Sequence, residues 1–417
     1  MVGCDAGSPA EALAERERLG RGGVEVHLDT DGTQLLAGHP APRTLVKSPG
    51  VPLEAPVVVE ARSHGIEVIG ELEIGWRMVP NRFVAVTGTN GKTTTTELLG
   101  AIYRTAGRPA AVAGNVGTPL TSLAGTIEPA ATVICEASSF QLEDSSEFAP
   151  EVALFLNFSE DHLDRHRSAT DYLAAKLRIF ANQTEADVAV VNASEPALAG
   201  TDLGRGKRVR FARSPRCDLG LDDHTIVWRS EPVVRTTELK LRGAHNIDNA
   251  MGAAAAALAD GVDLAAVAAA LRDFGGLPHR MELVREIRSV AYVNDSKATN
   301  VAAAAAALRA FEGGVHVILG GSLKGVAFAP LVHVIEERCR GCYLIGEAAD
   351  QLARDLRRSA VEVVVCGELE RAVVEAARRA RPGEAVLLAP ACASFDQFVD
   401  YAERGERFRE LVQAIPG

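Results

Sequence analysis

From residue 83 onward the chain alternates short apolar runs with Gly-rich or polar loops and amphipathic stretches. Apolar runs at 83–86, 132–135, 152–156 and 188–191 read as strands, with helical stretches between them. That alternation predicts a parallel sheet covered by helices. An Ala-rich helix over 250–258 closes the region, and Gly275-Gly276-Leu277-Pro278 reads as a linker. Beyond it, runs at 290–293, 315–319, 342–345, 361–365 and 385–388 predict five strands of a second, dinucleotide-type α/β unit. The alanine run at 302–307 predicts an ordinary packed helix, because Leu308 and Phe311 continue its apolar face. Runs at 24–28, 44–46, 57–59 and 66–69 suggest a small α/β region that starts abruptly. The expected layout is α/β in three domains, 1–80, 81–277 and 278–417.

A length of 417 residues agrees with two or three cores. With 47% hydrophobic and 24% charged residues the composition is globular, and no stretch nears the roughly 20 apolar residues a bilayer span needs. A net charge of -11 disfavours a sequence-independent hold on nucleic-acid phosphates. Seven scattered cysteines without a signal peptide point to a reducing compartment, read as cytoplasm. Cys339 and Cys342 have CxxC spacing between a predicted helix and strand, but no second pair completes a metal site, so they read as structural thiols.

The most specific local signal is Thr87-Gly88-Thr89-Asn90-Gly91-Lys92-Thr93-Thr94, between a predicted strand and a helix that starts near Lys92. Backbone N–H groups of such a loop converge on phosphate oxygens, and the helix N-terminus adds a favourable dipole. Lys92 can reach terminal phosphates, and Thr93 can offer its hydroxyl to Mg²⁺. The strict pattern asks for Gly where Val86 stands. The loop alone leaves kinase, hydrolase and ligase open.

Further blocks narrow the choice. The phosphate loop, Glu136-Ala137-Ser138-Ser139-Phe140-Gln141, Asp161-His162-Leu163-Asp164-Arg165-His166 and His245-Asn246-Ile247-Asp248-Asn249 together resemble the Mur ligase family. Within it, Leu277-Pro278-His279-Arg280-Met281-Glu282, Asn294-Asp295-Ser296-Lys297-Ala298-Thr299-Asn300 and Pro390-Ala391-Cys392-Ala393-Ser394-Phe395 are similar to the branch that adds D-glutamate. The resemblance implies a truncated N-terminal Rossmann-like domain, a central P-loop ATPase domain and a C-terminal Rossmann-like domain. It also implies ATP, Mg²⁺, and the substrates UDP-N-acetylmuramoyl-L-alanine and D-glutamate, joined through an acyl phosphate by a monomer in peptidoglycan synthesis.

By the same resemblance, Gly88, Thr89, Asn90, Gly91, Lys92, Thr93 and Thr94 hold ATP phosphates, and Asn246 and Asn249 its adenine end. Arg280, Asp295 and Lys297 serve ATP from the last domain. Thr93, Glu136, His162 and Lys176 gather around Mg²⁺, with Lys176 carbamylated by CO₂, and Asn115 lies near the acyl-phosphate centre. His162 and His166 stand at i, i+4, a spacing that also suits zinc. His279, Thr299, Lys324, Ser394 and Tyr401 face D-glutamate; Tyr401 stands where relatives often have Phe. Asp5 and Ser48 are candidates for the nucleotide-sugar.

The family pattern opens with a βα unit that precedes nothing visible here: the sequence begins at the equivalent of the second strand. Either the start codon was assigned too late or the protein is truncated. A nucleotide-binding, non-catalytic relative and a related amino-acid ligase are the alternative readings.

Overall fold

The computed structural model describes every residue except 6–9, 39–41, 160–164, 242, 324–327, 358 and 417, and omits the side chains of 10–15 and 302. It divides into two compact units, Met1–Glu238 with Asp248–Arg272, and Leu239–Ile247 with Asp273–Gly417.

The first unit opens with two small parallel pairs, β1 (Val2–Cys4) with β2 (Glu25–His27), and β3 (Thr44–Lys47) with β4 (Glu67–Gly70). Three helices accompany them, α1 (Ala10–Arg21), α2 (Pro56–Ser63) and α3 (Glu71–Met78). The apolar run at 57–59 lies in α2 and is no strand. Pro56 at the first helical position has its φ preset and no N–H to satisfy, so it starts a helix despite the β-branched residues that follow.

Among the described residues the main sheet has nine strands: β5 (Phe83–Thr87), β6 (Ala110–Gly114), β7 (Thr132–Glu136), β8 (Val152–Phe155), β9 (Val188–Asn192), β10 (Lys207–Phe211), β11 (Leu219–Asp222), β12 (Thr225–Trp228) and β13 (Glu231–Arg235). Their spatial order is β13-β12-β11-β10-β9-β8-β5-β7-β6. The predicted strands all form and pair in parallel, but the sheet is mixed, because β12 adds antiparallel to β11 and β13 antiparallel to β12. Two-residue turns join them at Asp223-His224 and Arg229-Ser230, all four residues with positive φ. This is the primed-turn geometry that matches strand twist, made here without glycine. The outermost strand, β13, carries Pro232.

Helices α4 (Lys92–Thr105), α5 (Ser139–Glu143), α6 (Ala169–Leu177), α7 (Ala244–Ala259) and α8 (Leu264–Asp273) complete the set up to residue 273. The predicted 250–258 helix is the body of the longer α7. Alternate residues Phe83, Ala85, Val133, Cys135, Ala153 and Phe155 pack with Leu72, Leu120, Phe148 and Phe180 in one core. The intervening Val84, Val86, Ile134 and Leu154 are equally inaccessible. Helices on both faces explain why these strands read as continuous apolar runs.

The second unit holds a six-stranded sheet in the order β14-β15-β19-β16-β17-β18, from β14 (Glu282–Ile287), β15 (Val290–Asn294), β16 (Val315–Gly320), β17 (Cys339–Ile345), β18 (Glu362–Gly367) and β19 (Ala385–Leu388). Five strands are parallel as predicted; β14 is an antiparallel addition turned at Arg288-Ser289, again with both φ positive. The 302–307 run lies in the helix Val301–Arg309, where Asn300 accepts from the Ala303 N–H at 2.8 Å. Cys339 and Cys342 lie inside β17, not before it. A register shift opposite Val315/His316 makes room for Arg340 as an extra residue, so both thiols enter the same apolar core.

One buried ion pair ties β3 to α5. Lys47 meets Asp144 with both side chains almost fully enclosed, and its Nζ also donates to Val51 O at 2.9 Å. Burial pushes the Asp144 carboxyl up, and Lys47 opposes that shift. Removing one partner strands the other charge. Lys47→Met is expected to cost roughly 3–5 kcal/mol in urea denaturation, and Lys47→Met with Asp144→Leu to recover most of it. A single variant as stable as the parent would show that the pair contributes nothing.

Candidate functional site

The loop after β5 has the shape its glycines allow. Gly91 has φ +82°, and a Cβ there would strike the carboxamide of Asn249 on α7. Only glycine accommodates both the left-handed backbone and that contact. The loop is braced from just beyond β8: Thr89 N–H donates to Asn157 O at 3.0 Å, Asn90 N–H to Asn157 Oδ1 at 2.9 Å, and Asn157 Nδ2 to Asn90 O at 3.0 Å. Thr89 Oγ1 donates to Ser159 O at 3.1 Å. Thr93 and Thr94 sit in the first turn of α4, Thr93 half-buried.

Two lysines meet at one atom of this loop. Lys92 Nζ donates to Gly88 O and Thr89 O, each at 3.0 Å, and Lys176 Nζ donates to Gly88 O at 2.7 Å. Lys176 lies on α6 with 1% exposure and stands over the Tyr172 ring at 4.5 Å. A lysine that helical patterning would leave in solvent is thus buried against the phosphate loop. Two ammonium groups at one carbonyl repel, so the spot favours an anion or a change of charge on one lysine.

At the neighbouring strand end, Glu136 closes β7 with 3% exposure. Asn115 donates its Nδ2 to Glu136 Oε1 at 2.9 Å and its N–H to Glu136 O at 2.9 Å. The carboxylate and carboxamide are therefore delivered together. Ser138 and Gln141 form a reciprocal cap on α5.

Below them, Ser48 begins the turn Ser48-Pro49-Gly50-Val51, closed by Val51 N–H to Ser48 O at 3.0 Å. Arg165 gathers the carbonyls of Pro49, Gly50 and Val51 at 2.9–3.2 Å and pairs with Glu143. His166 is buried, with Nε2 3.0 Å from Ser139 Oγ and its ring stacked on Phe140. A cleft of about 350 Å³ runs alongside, lined by Leu53, Glu54, Arg165, Arg167 and Arg178 among others. Asp5 stands apart, exposed after β1, where its N–H donates to His27 O.

In the second unit, Asn246 is buried in the first turns of α7. His279, Arg280, Asp295, Lys297 and Thr299 cluster around the end of β15. Lys297 N–H donates to His279 O at 3.1 Å, Thr299 N–H to Lys297 O at 2.7 Å, and Met281 N–H to Asp295 Oδ1 at 3.1 Å. His279 is buried with φ +62°, its Nδ1 2.9 Å from Asn294 Nδ2, and burial lowers its pKa. Lys297 Nζ lies 3.8 Å from the centre of the Tyr401 ring, which opens the helix Tyr401–Gln413. Ser394 has 2% exposure, and its carbonyl accepts from Gln397 and Phe398.

His162 and Lys324 fall outside the described residues. Sequence patterning also passed over Asn157 and Arg165, whose roles arise from backbone contacts remote in the chain. Ser138-x-x-Gln141 was the one legible hint, as a capping signature.

Burial raises Asp295 from 3.8 to about 6. The folded protein therefore keeps a proton in that window that the unfolded chain has lost, so this contribution to stability is present below 3.8 and is lost as pH rises through about 6. Asp295→Asn is expected to flatten that part of the stability-versus-pH profile in urea titrations. An unchanged profile would contradict it.

The Mur ligase middle domain matches residues 86–257, and the Mur ligase glutamate ligase domain matches residues 279–392. A UDP-N-acetylmuramoylalanine–D-glutamate ligase of Geobacter metallireducens is 46% identical, covering 89% of this chain and 83% of that protein. One of Pelotomaculum thermopropionicum is 41% identical over 100% of this chain and 92% of that protein. In fold, the UDP-N-acetylmuramate-alanine ligase MurC of Thermotoga maritima superposes with TM-score 0.61 at 20% identity, over 99% of this chain and 93% of that one. On two matching domains and relatives above 40% identity along most of its length, the chain belongs to the Mur ligase family.

Proposed function

We propose that this protein ligates D-glutamate to UDP-N-acetylmuramoyl-L-alanine with ATP, releasing ADP and phosphate, in the cytoplasm and as a monomer, with the three-domain division 1–80, 81–277 and 278–417. The observation that carries the reading is the convergence of Lys92 and Lys176 on Gly88 O inside a glycine-shaped loop, beside the paired Glu136 and Asn115. This is a site built to gather anionic oxygens. The relatives named as D-glutamate ligases supply the substrates.

The chemistry follows from charge and leaving-group strength. Transfer of the γ-phosphoryl group to the alanyl carboxylate forms an acyl phosphate and ADP; attack by the D-glutamate amine then expels phosphate, the amine losing one proton. Gly88 to Thr94 cradle the phosphates and Lys92 neutralises charge on the transferring group. Asn115 holds an oxygen of the acyl centre. Thr93, Glu136 and His162, with a carbamylated Lys176, hold Mg²⁺, which fits the enclosed carboxylate at the end of β7. When bound, Mg²⁺ screens the phosphate oxygens. Carbamylation turns the Lys176 cation into an anion and removes its repulsion with Lys92. Asn246, Asn249, Arg280, Asp295 and Lys297 serve the rest of ATP. His279, Thr299, Lys324, Ser394 and Tyr401 receive D-glutamate, and Asp5 and Ser48 the nucleotide-sugar.

The direct assay is ADP release that requires both UDP-N-acetylmuramoyl-L-alanine and D-glutamate; release with neither dependence rejects the assignment. Lys92→Ala is expected to lower kcat by about 10²–10³-fold while the folded baseline is retained. For Lys176, ¹³C-bicarbonate should give a carbamate carbon signal that Lys176→Ala lacks. No such signal in the parent protein would count against the carbamate.

A further inference from the structure

In the second unit one side chain joins the two segments that the proposed function assigns to ligands. Arg404, in the helix Tyr401–Gln413, has 0% exposure and is among the largest fully buried side chains of the described residues. Its Nε donates to Ser296 Oγ at 3.0 Å, Nη2 to Ser296 O at 2.9 Å and to Cys392 O at 3.1 Å, and Nη1 to Ala393 O at 3.3 Å. Ser296 Oγ in turn donates its O–H to Tyr401 O at 2.7 Å. No carboxylate lies within ion-pair distance of it among the described residues. Burial pulls its pKa down to about 10, still well above neutrality, so the cation persists.

A buried cation without a carboxylate partner carries a desolvation cost, and a hydrophobic side chain would fill the same volume without it. What arginine adds is a planar fork whose donors are fixed relative to one another. Here the fork reaches the loop after β15, which holds Asp295, Lys297 and Thr299, and the loop after β19, which holds Ser394. Because a trans peptide is planar, with C=O and N–H opposed, a carbonyl turned onto the guanidinium sends the next amide the other way. Contacts at Cys392 O and Ala393 O therefore aim the N–H groups of Ala393 and Ser394 away from Arg404. Ala391, at φ +61°, donates its N–H to Ala298 O at 2.9 Å, so the two loops also touch directly.

We propose that Arg404 is a positioning residue, which locks the 295–299 and 390–394 loops into one template for D-glutamate and for the part of ATP that Asp295 and Lys297 serve. The assignment of those ligands rests on the proposed function; the locking does not. Arg404 acts from behind the site, through backbone carbonyls, and touches no reacting atom.

The test uses the full chain with Arg404→Lys, which keeps the charge and loses the fork, and the milder Ser296→Ala. In steady-state assays KM for D-glutamate and for ATP should rise about tenfold in Arg404→Lys, less in Ser296→Ala, with kcat within about threefold of the parent. KM for UDP-N-acetylmuramoyl-L-alanine should stay within about twofold. A protein that is only destabilised loses active fraction, which lowers kcat and leaves every KM alone; that pattern in both variants overturns the proposal. Amide hydrogen exchange decides independently of any substrate. Faster exchange confined to 294–299 and 390–398 supports the locking role, and unchanged or uniformly faster exchange refutes it. If the parent protein shows no D-glutamate-dependent ADP release, the substrate reading fails while the exchange result still judges Arg404.

Discussion

The carbonyl oxygen of Gly88 receives two ammonium groups, one from the helix that follows the phosphate loop and one from α6, more than eighty residues later in the chain. Bringing like charges to one acceptor is unfavourable unless the surroundings impose it. They do so through a rigid frame: α4 starts directly from the loop, Asn157 braces the loop from just beyond β8, and the Tyr172 ring faces the Lys176 ammonium. The fold thus fixes two cationic side chains at the phosphate loop. Preorganisation of this kind is set during folding, before any ligand arrives.

Around it, polar groups are held in place by backbone contacts more than by one another. Arg165 gathers three carbonyls of the Ser48 turn, and Arg404 gathers three carbonyls from two loops. Asn115 is oriented by both the side chain and the carbonyl of Glu136. In each case a side chain distant in sequence fixes the path of a loop that carries candidate ligand-binding residues.

Much of the fold was legible because its strands are covered on both faces. The runs at 83–86, 133–135, 152–156 and 188–191 are apolar throughout, and those of the second unit are interrupted only at His316 and Glu362. The strands from β10 to β13 and the antiparallel β14 gave weaker signals. Lys207-Arg208-Val209-Arg210-Phe211 alternates cations with apolar residues, and the hairpin turns at Asp223-His224, Arg229-Ser230 and Arg288-Ser289 lack the glycine that marks such turns. The run at 57–59 misled because β-branched residues outweighed the Pro56 start signal. In the site, Lys92 was legible from its loop, but the burial of Lys176 was not: helical patterning leaves a lone lysine solvated. Arg404 was invisible for the same reason, sitting among Glu403, Glu406 and Arg407 in a strongly charged helix.

Pro232 gives the outermost strand a further property. A proline offers no N–H, so the free margin of β13 presents an interrupted ladder of donors to any extended chain that approaches it. Growth of the nine-stranded sheet by recruitment of another polypeptide is thereby discouraged at the end farthest from β6. At that boundary a single missing N–H thus acts against misassembly.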